Sequence, residues 1–203
     1  MESNNKASFG NTLYPIFLKL HVLKVLIVGT GNVGLEKLSF MLKNSPDANI
    51  KLIGIEIKEE LQTLAAGFDK VEIEQKVFEE RDLIGIDLLV LATADLKCDS
   101  YIKGVAKRLK ILTNVADCPD LCDFYLGSIV SRGDLKVAIS TNGKSPTLAK
   151  RMREYLEESL PNDTQQIIDN LGAIRAQLEG DFNAKLNALN EVTKELNAKK
   201  KSN

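Results

Sequence analysis

The sequence predicts an α/β protein, in which a parallel sheet is followed by a small α+β region and a helical C-terminal part. From Lys24 to Val115, short apolar runs alternate with segments of helical spacing, as in parallel sheets with right-handed crossovers. After Cys118, two strand-like runs flank Arg132-Gly133-Asp134, which is a hairpin signal. Beyond Pro161, apolar residues recur every three or four positions, which indicates amphipathic helices.

The first part is expected to contain five strands and three helices. Strands are predicted near 24–29, 50–55, 70–77, 87–93 and 110–115, and helices near 32–44, 57–66 and 95–109. Upstream, residues 1–11 are polar and are predicted to be disordered, whereas the segment 13–20 is apolar and contains Pro15. Because proline is confined to the edges of sheets, this segment is predicted to be an extended edge piece.

The second part is expected to begin with a hairpin formed by the runs 126–131 and 135–141. Ser145-Pro146 then predicts the N-cap and the first residue of a helix that reaches about Leu160. The tail that follows is interpreted as two helices divided at Gly180-Asp181.

The composition is that of a globular protein. The chain has 203 residues, of which 44% are hydrophobic and 27% charged, and its net charge is −1. An almost neutral chain argues against a nucleic-acid or membrane-surface partner, and no apolar run approaches the roughly 18 residues of a membrane span. Residues 1–11 hold no apolar signal core, and three cysteines imply no oxidising compartment. We therefore expect a cytoplasmic protein.

A glycine motif directly follows the first predicted strand. Gly29, Gly31 and Gly34 form a Gly-x-Gly-x-x-Gly between an apolar run and leucines at helical spacing. In Rossmann-type folds the first glycine allows a tight turn, the second lets a pyrophosphate approach, and the third allows close packing of helix and strand. The anion then lies at the positive end of the helix, which here begins near Asn32. The motif favours dinucleotide binding, and the alternative is a glycine-rich turn that binds nothing.

Glu56 lies at the end of the second predicted strand, 22 residues after Gly34. An acid about 20 residues beyond the glycine motif hydrogen-bonds the ribose hydroxyls in dinucleotide folds. A carboxylate there repels a 2′-phosphate, which favours NAD over NADP. The alternative is an exposed glutamate at the start of a helix.

Asp117 follows the fifth predicted strand, within Asn114-Val115-Ala116-Asp117. Because ligands of open α/β sheets bind beyond the carboxyl ends of the strands, its carboxylate is expected to face the cofactor crevice. It is a candidate general base, which removes a proton as a hydride leaves to a nicotinamide. An ordinary Asx turn before Pro119 is the alternative.

A basic stretch lies between Arg132 and Arg153. Against one acid, Asp134, it holds six basic residues and so carries a net charge of +5: Arg132, Lys136, Lys144, Lys150, Arg151 and Arg153. Arginines pair with carboxylates in a bidentate geometry, so the stretch suits a polyanionic substrate. The alternative is a solvated helix face.

The cysteines do not predict a metal site. Cys118 and Cys122 are spaced Cys-x₃-Cys, but a closed zinc site needs four ligands, and Cys98 and His21 lie far away in the sequence. The sequence also contains no Walker A or His-Glu-x-x-His pattern, so phosphotransferase and metallohydrolase activities have no support.

Several motifs follow one another along the chain. They are the segment 13–18, the loop 29–34, Thr113-Asn114-Val115-Ala116-Asp117, the segment 124–129 and Ser140-Thr141-Asn142-Gly143-Lys144-Ser145-Pro146. These motifs occur in the order found in siroheme synthases, and the sequence resembles the precorrin-2 dehydrogenase / sirohydrochlorin ferrochelatase module of that family over about residues 13–160. The paired patterns Asn-Val-x-Asp and Ser-x-x-Gly-x-Ser-Pro make the resemblance far more specific than the glycine motif alone.

The resemblance implies a Rossmann domain, here over 12–125, a dimerisation region over 126–160 and a helical domain over 161–200, assembled as a homodimer. It implies NAD-dependent oxidation of precorrin-2 to sirohydrochlorin and, in many members, insertion of Fe²⁺ to give siroheme. The alternatives are a dehydrogenase without chelatase activity and a non-catalytic module that senses NAD. The methyltransferase domain that is fused to some members is expected to be absent.

The resemblance also implies roles for individual residues. Asp117 matches the essential aspartate of the family, which makes it the favoured catalytic base and a transient contact for Fe²⁺. The dinucleotide contacts of the family correspond to Asn32, Val33, Ile55 and Glu56. The candidate partners for the acetate and propionate groups of the tetrapyrrole are Lys144, Arg151 and Arg153. The glycine loop departs from the frequent Gly-Gly-Gly of the family and reads Gly-Thr-Gly.

Overall fold

The structure is a computed structural model, in which residues 10–178 and 182–198 are described. In the first part, strands alternate with helices in the predicted order. The elements are β1 (Lys24–Val28), α1 (Asn32–Asn44), β2 (Asn49–Gly54), α2 (Glu59–Ala65), β3 (Val71–Gln75), β4 (Leu88–Leu91), α3 (Leu96–Arg108) and β5 (Leu112–Val115). Short 3₁₀ helices cover Glu80–Leu83 and Pro119–Leu121. Each of these strands and long helices lies within two residues of its predicted bounds.

The five strands form one parallel sheet in the order β3-β2-β1-β4-β5. The chain moves outward from β1 through β2 to β3 and then returns to the other side of β1. Such a reversal creates a crevice between β1 and β4, beyond their carboxyl ends, where open α/β sheets bind ligands. The α/β prediction of Rossmann type is therefore confirmed.

Helices cover both faces of the sheet, as its apolar strands require. Val25 and Ile27 of β1 pack in a core cluster on one face, which also contains side chains of α1 and α2. Leu26 and Val28 pack on the other face, with side chains of α3. Full burial of a side chain of this size stabilises the fold by roughly 1.5–3 kcal/mol. This packing aligns the carboxyl ends of the central strands.

The second part contains the predicted hairpin and three helices. Their bounds are β6 (Ser128–Arg132), β7 (Leu135–Ile139), α4 (Pro146–Ser159), α5 (Thr164–Gln177) and α6 (Phe182–Ala198). Gly133, between β6 and β7, has a φ of +59°, which glycine adopts at no steric cost. The Ser145 Oγ accepts the N–H of Leu148 at 3.2 Å, which confirms the predicted N-cap of α4.

Three expectations about the chain ends and the tail have different outcomes. The segment 13–20 forms no strand, so its predicted place at the sheet edge is wrong; proline lacks the N–H that sheet pairing uses. Residues 1–9 of the predicted lead-in and the predicted helix boundary at Gly180-Asp181 lie outside the described residues.

The described chain divides into two compact units. One holds residues 10–128 and 138–150, and the other holds 129–137, 151–178 and 182–198. The parallel sheet belongs to the first unit, and α5 and α6 belong to the second. No helix in the described parts of the chain is long and apolar enough to cross a membrane.

Candidate active site

Two glycines of the Gly-x-Gly-x-x-Gly motif are required by the fold. Gly29 follows β1 with a φ of +116°, and a Cβ atom there would lie 2.2 Å from the carbonyl oxygen of Ala92. A Cβ atom on Gly34, in the first turn of α1, would lie 2.0 Å from the carbonyl oxygen of Gly29. These positions allow the tight turn after β1 and the close approach of α1 to it.

Gly31 is different, because a Cβ atom added there would meet no atom within 4 Å. It is the N-cap of α1, it makes no side-chain capping hydrogen bond, and the first turn of this helix contains no acidic residue. The first N–H groups of a helix have no partner inside the helix and favour an anion. Open space, free amides and the absence of negative charge fit the pyrophosphate of a dinucleotide at Gly31, Asn32 and Val33.

The end of β2 is joined to the glycine loop. The hydroxyl of Thr30, which is buried, donates to the carbonyl oxygen of Glu56. Lys58 donates through its Nζ to the Oδ1 of Asn32. The side chains of Ile55 and Glu56 are exposed next to this junction, so both predicted contacts of the adenosine half are accessible to a ligand beside the loop.

The end of β4 contributes polar residues that the sequence analysis did not select. The Oδ1 of Asp95 caps α3 by accepting the N–H groups of Lys97 and Cys98 at 2.9 and 3.3 Å. The hydroxyl of Thr93 donates to the Oδ1 of Asp99 at 2.7 Å. Burial of Asp99 raises its pKa, although the hydrogen bond from Thr93 opposes this effect. The sequence feature that could have indicated these residues is Asp95, a typical capping residue between an apolar strand and a helix.

A cavity of about 300 Å³ lies within the first unit, beyond the carboxyl end of β5. Asn114 and Asp117 of the first family pattern line it, and so do Ser140, Thr141 and Gly143 of the second. The two patterns are far apart in the sequence, and the fold brings them together around one space. Other side chains on the wall belong to Lys37, Cys118, Cys122 and Tyr125.

Asp117 stands at a turn after β5. The N–H of Cys118 donates to the carbonyl oxygen of Val115 at 3.3 Å, and Asp117 inside this turn has a φ of +58°. Left-handed backbone is uncommon for residues other than glycine, although aspartate and asparagine adopt it more readily than most. No group in the described parts of the chain donates a hydrogen bond to its carboxylate, so the alternative of an ordinary Asx turn has no support there.

Cys122, the second cysteine after Asp117, serves the local structure. The thiol of Cys122 donates to the carbonyl oxygen of Val115 at 3.2 Å and also accepts the N–H of that residue. Burial raises the pKa of the Cys122 thiol, which disfavours a reactive thiolate. Among the described residues, no three His, Cys, Asp or Glu side chains are grouped to hold a metal ion.

The three cationic residues that are predicted to bind substrate carboxylates have different surroundings. Arg151 contacts Glu154 at 2.8 Å, and Arg153 contacts Glu157 at 2.7 Å, so both guanidinium groups have carboxylate partners on their own helix, α4. Lys144 is exposed and belongs to the unit that contains the cavity, but it does not line the cavity.

Lys37 is the cation on the described cavity wall. It lies on α1, three residues after Gly34, and its side chain is 21% exposed and contacts Glu36 at 3.0 Å. The sequence alone did not indicate it, because a lysine on an amphipathic helix carries no motif. Only the approach of α1 to the loop after β5 brings it to the site.

Comparisons with known proteins agree with this architecture. The family model described as "Putative NAD(P)-binding" matches residues 16–128, and the one described as "Sirohaem biosynthesis protein central" matches residues 132–159. The fold is similar to that of a solved precorrin-2 dehydrogenase, SirC, with a TM-score of 0.69 and 24% identity over 89% of each chain. At this identity the likeness concerns the fold.

Two siroheme synthases are among the relatives whose sequences are similar to this chain. That of Methylococcus capsulatus is 39% identical over 150 residues, which are 73% of this chain and 31% of the relative. That of Pseudomonas fluorescens is 32% identical over 166 residues, or 82% of this chain and 35% of the relative. This chain thus spans about a third of the length of the curated relatives it matches. The NAD(P)-binding model matches more than half of the chain, and the sirohaem biosynthesis model and the siroheme synthase relatives match beside it. The chain therefore belongs to the siroheme synthase family, of which it represents the NAD(P)-binding and central parts.

Proposed function

We propose that the protein catalyses the NAD-dependent oxidation of precorrin-2 to sirohydrochlorin. The observation that carries this proposal is the meeting of Asp117 with the Ser-x-x-Gly-x-Ser-Pro segment around one cavity, beyond the carboxyl end of β5. The open N-terminus of α1 lies in the same unit and fits a dinucleotide, and Lys37 of that helix reaches the cavity wall.

In this reaction the substrate loses one hydride and one proton. Bound NAD supplies the hydride acceptor. Gly31 and the first amides of α1 bind the pyrophosphate, and Glu56 orients the ribose and disfavours a 2′-phosphate. The carboxylate of Asp117 accepts the proton as general base, because it lines the cavity and has no competing donor among the described residues.

The substrate is a polycarboxylate, and cationic side chains are needed to hold it. Lys37 is placed on the cavity wall, and we propose that it binds one carboxylate there. Lys144, Arg151 and Arg153 remain candidates for the others. The two arginines would have to exchange Glu154 and Glu157 for the substrate. The ion pair of the exposed Arg151 contributes only about 0–1 kcal/mol, whereas the pair of Arg153 is half-buried, so the exchange is easier at Arg151.

The size of the cavity supports a homodimer. Its volume of about 300 Å³ lies at the small end of ligand pockets, which span about 300–1,000 Å³, and it does not enclose a tetrapyrrole. We propose that a second copy supplies the remaining walls of a cytoplasmic homodimer. In this proposal the regions 12–125, 126–160 and 161–200 are the NAD-binding domain, the dimerisation region and the helical domain.

We also propose that Fe²⁺ enters sirohydrochlorin in the same cleft, as a substrate. The pyrrole protons need an acceptor, and in this proposal Asp117, which lines the cavity, accepts them and contacts the incoming ion. A dehydrogenase without chelatase activity is the alternative. The two are separated by supplying sirohydrochlorin and Fe²⁺ to the same preparation that is assayed with precorrin-2 and NAD.

The small cavity also favours a second candidate function, a non-catalytic module that senses NAD. Mixing the protein with NAD and precorrin-2 and recording the visible spectrum distinguishes the two functions. A change in the tetrapyrrole spectrum supports the enzyme. Binding of NAD without that change supports the sensor.

The experiment that tests the catalytic role of Asp117 is its replacement by asparagine. Asp117→Asn keeps size and tolerates the positive φ, whereas Asp117→Ala adds backbone strain of about 1–2 kcal/mol. Losing a general base costs about 10²–10⁴ in rate, so oxidation should fall by that order in both variants. The affinity for NAD should stay unchanged, because Asp117 lies outside the glycine loop.

Asp120→Asn is the matched control. Asp120 lies three residues further along the same loop, is exposed, and does not line the cavity, so its variant should retain wild-type activity. Near-normal oxidation by Asp117→Asn would show that this residue is not the base. Loss of oxidation with retention of iron insertion would show that the two reactions use different bases.

A further inference from the structure

We propose that Asp123 is a positioning residue, which closes the loop that carries Asp117 and so holds the proposed base in place. Asp123 itself does not line the cavity, so it acts through the loop. The kinetic part of this inference rests on the proposed oxidation, whereas the structural part does not.

The loop is closed at its base by a reciprocal pair of hydrogen bonds. The N–H of Thr113 in β5 donates to the Oδ2 of Asp123 at 2.9 Å. In return, the N–H of Asp123 donates to the carbonyl oxygen of Thr113 at 2.8 Å. Residues 114–122, which include Asp117, thus form a ring that this pair of hydrogen bonds closes.

A charge strengthens this closure. The Nζ of Lys103 in α3 contacts the same Oδ2 of Asp123, and the two side chains are 13% and 38% exposed. Burial raises the pKa of Asp123, but the hydrogen bonds from Lys103 and Thr113, together with the positive charges of Lys103 and Lys107, leave the pKa below its ordinary value. The carboxylate is therefore charged at neutral pH, and it ties the loop to a helix that is packed on the sheet.

Two further contacts run beside this pair along β5. Asn114 donates through Nδ2 to the carbonyl oxygen of Phe124 at 2.9 Å. The N–H of Val115 meets the Sγ of Cys122 at 3.2 Å. Because β5 is an edge strand of the sheet, the returning chain satisfies polar groups that a neighbouring strand would otherwise bind.

The tip of this ring needs such support. Asp117 has a φ of +58°, and residues in sparsely populated backbone regions persist only where the surrounding structure holds them. A general base must lie within about 2.6–3.2 Å of the atom that carries the proton, and a displacement of about 1 Å can reduce the rate about 10²-fold. Opening the ring at Asp123 is therefore expected to move Asp117 out of this range.

The test compares Asp123→Ala with Asp123→Asn. We expect kcat to fall about 10–100-fold in the alanine variant, with the KM and Kd for NAD within about twofold of wild type, because the glycine loop is untouched. Asparagine keeps an oxygen that accepts the N–H of Thr113 but loses the charge that pairs with Lys103. It should therefore recover part of kcat.

Hydrogen exchange provides a measurement that does not depend on turnover. The amides of residues 113–124 should exchange faster in Asp123→Ala than in wild type, with the asparagine variant between them. Asp87→Asn is the matched control, since the Oδ2 of Asp87 likewise accepts a strand N–H, that of Lys24, at 2.8 Å. It lies at the amino-terminal edge of the sheet, so its variant should keep wild-type kcat and wild-type exchange in 113–124.

Three other outcomes would contradict the inference or the function on which its kinetic part rests. Unchanged exchange in Asp123→Ala would overturn the closure of the ring. Faster exchange with wild-type kcat would overturn the positioning role. If the wild-type protein oxidises no precorrin-2, the proposed function fails, and exchange alone then decides whether Asp123 closes the loop.

Discussion

Replacing two glycines of the same motif by alanine should separate folding from cofactor binding. Gly34→Ala should destabilise the protein, because its Cβ would lie 2.0 Å from the carbonyl oxygen of Gly29, a backbone atom that cannot swing aside. Gly31→Ala should leave stability nearly unchanged and weaken dinucleotide binding, because its Cβ would enter open space where the pyrophosphate is expected.

The size of the first effect follows from the geometry. Ordinary contact begins at 3.4 Å, so α1 would have to retreat by about 1.4 Å, which is 3.4 Å less 2.0 Å. Because the clash is with a rigid backbone atom, we expect it in the upper part of the range that overpacking costs, at about 2–3 kcal/mol, while alanine regains about 1 kcal/mol of helix propensity. We expect a net loss of about 1–2 kcal/mol, or a fall in Tm of about 2–8 °C for a chain of this length.

The expected effect at Gly31 concerns affinity. Its φ of −81° and ψ of −162° are accessible to alanine, so Tm should change by less than about 2 °C. The added methyl group should weaken binding of NADH by about tenfold or more, equivalent to about 1.4 kcal/mol. Thermal unfolding followed by circular dichroism gives Tm, and a titration followed by NADH fluorescence gives the Kd.

Gly104→Ala is the control for helix propensity. Gly104 lies inside α3, and an added Cβ would meet nothing within 4 Å, so alanine there should stabilise the protein by up to about 1 kcal/mol without affecting NADH. A Gly34→Ala variant as stable as wild type would refute the steric argument. Wild-type affinity of Gly31→Ala for NADH would refute the proposed pyrophosphate position.

Three further predictions concern the cofactor, pH and assembly. The wild-type protein should bind NAD more tightly than NADP, and Glu56→Ala should narrow the difference; equal wild-type Kd values in calorimetric titrations would contradict the role of Glu56. Burial raises the pKa of Asp99, so the folded state keeps the proton of this carboxyl group to higher pH than the unfolded chain does. Asp99 therefore reduces the stability of the folded state as the pH rises from the ordinary pKa of 3.8 through the folded pKa. Urea unfolding at pH 4 and pH 7 should therefore show a more favourable change in stability with rising pH for Asp99→Asn than for wild type, and equal changes would exclude this contribution. Light scattering should give twice the chain mass of 22.4 kDa, and a monomeric mass at micromolar concentration would contradict the homodimer.

Much of the fold could be predicted because its signals are local. The strand β1 and the helix α1 follow from an apolar run and from apolar residues at helical spacing, and the glycines between them mark the turn. Ser145-Pro146 correctly marked the start of α4 for the same reason, since capping depends on a few consecutive residues. The segment 13–20 was predicted wrongly, because an apolar run alone does not show whether a sheet edge is available to it.

The sequence by itself determined the order of strands and helices, the position of the glycine motif and the patterns that contain Asp117 and Ser140. These depend on neighbouring residues and on the periods of helix and strand. Only the tertiary structure decided that Gly29 and Gly34 are sterically required while Gly31 faces open space, that Lys37 lies on the cavity wall, and that Asp123 closes the loop around Asp117. Each of these depends on how closely segments distant in the sequence approach one another, and that distance is set by packing of the whole unit rather than by any local pattern.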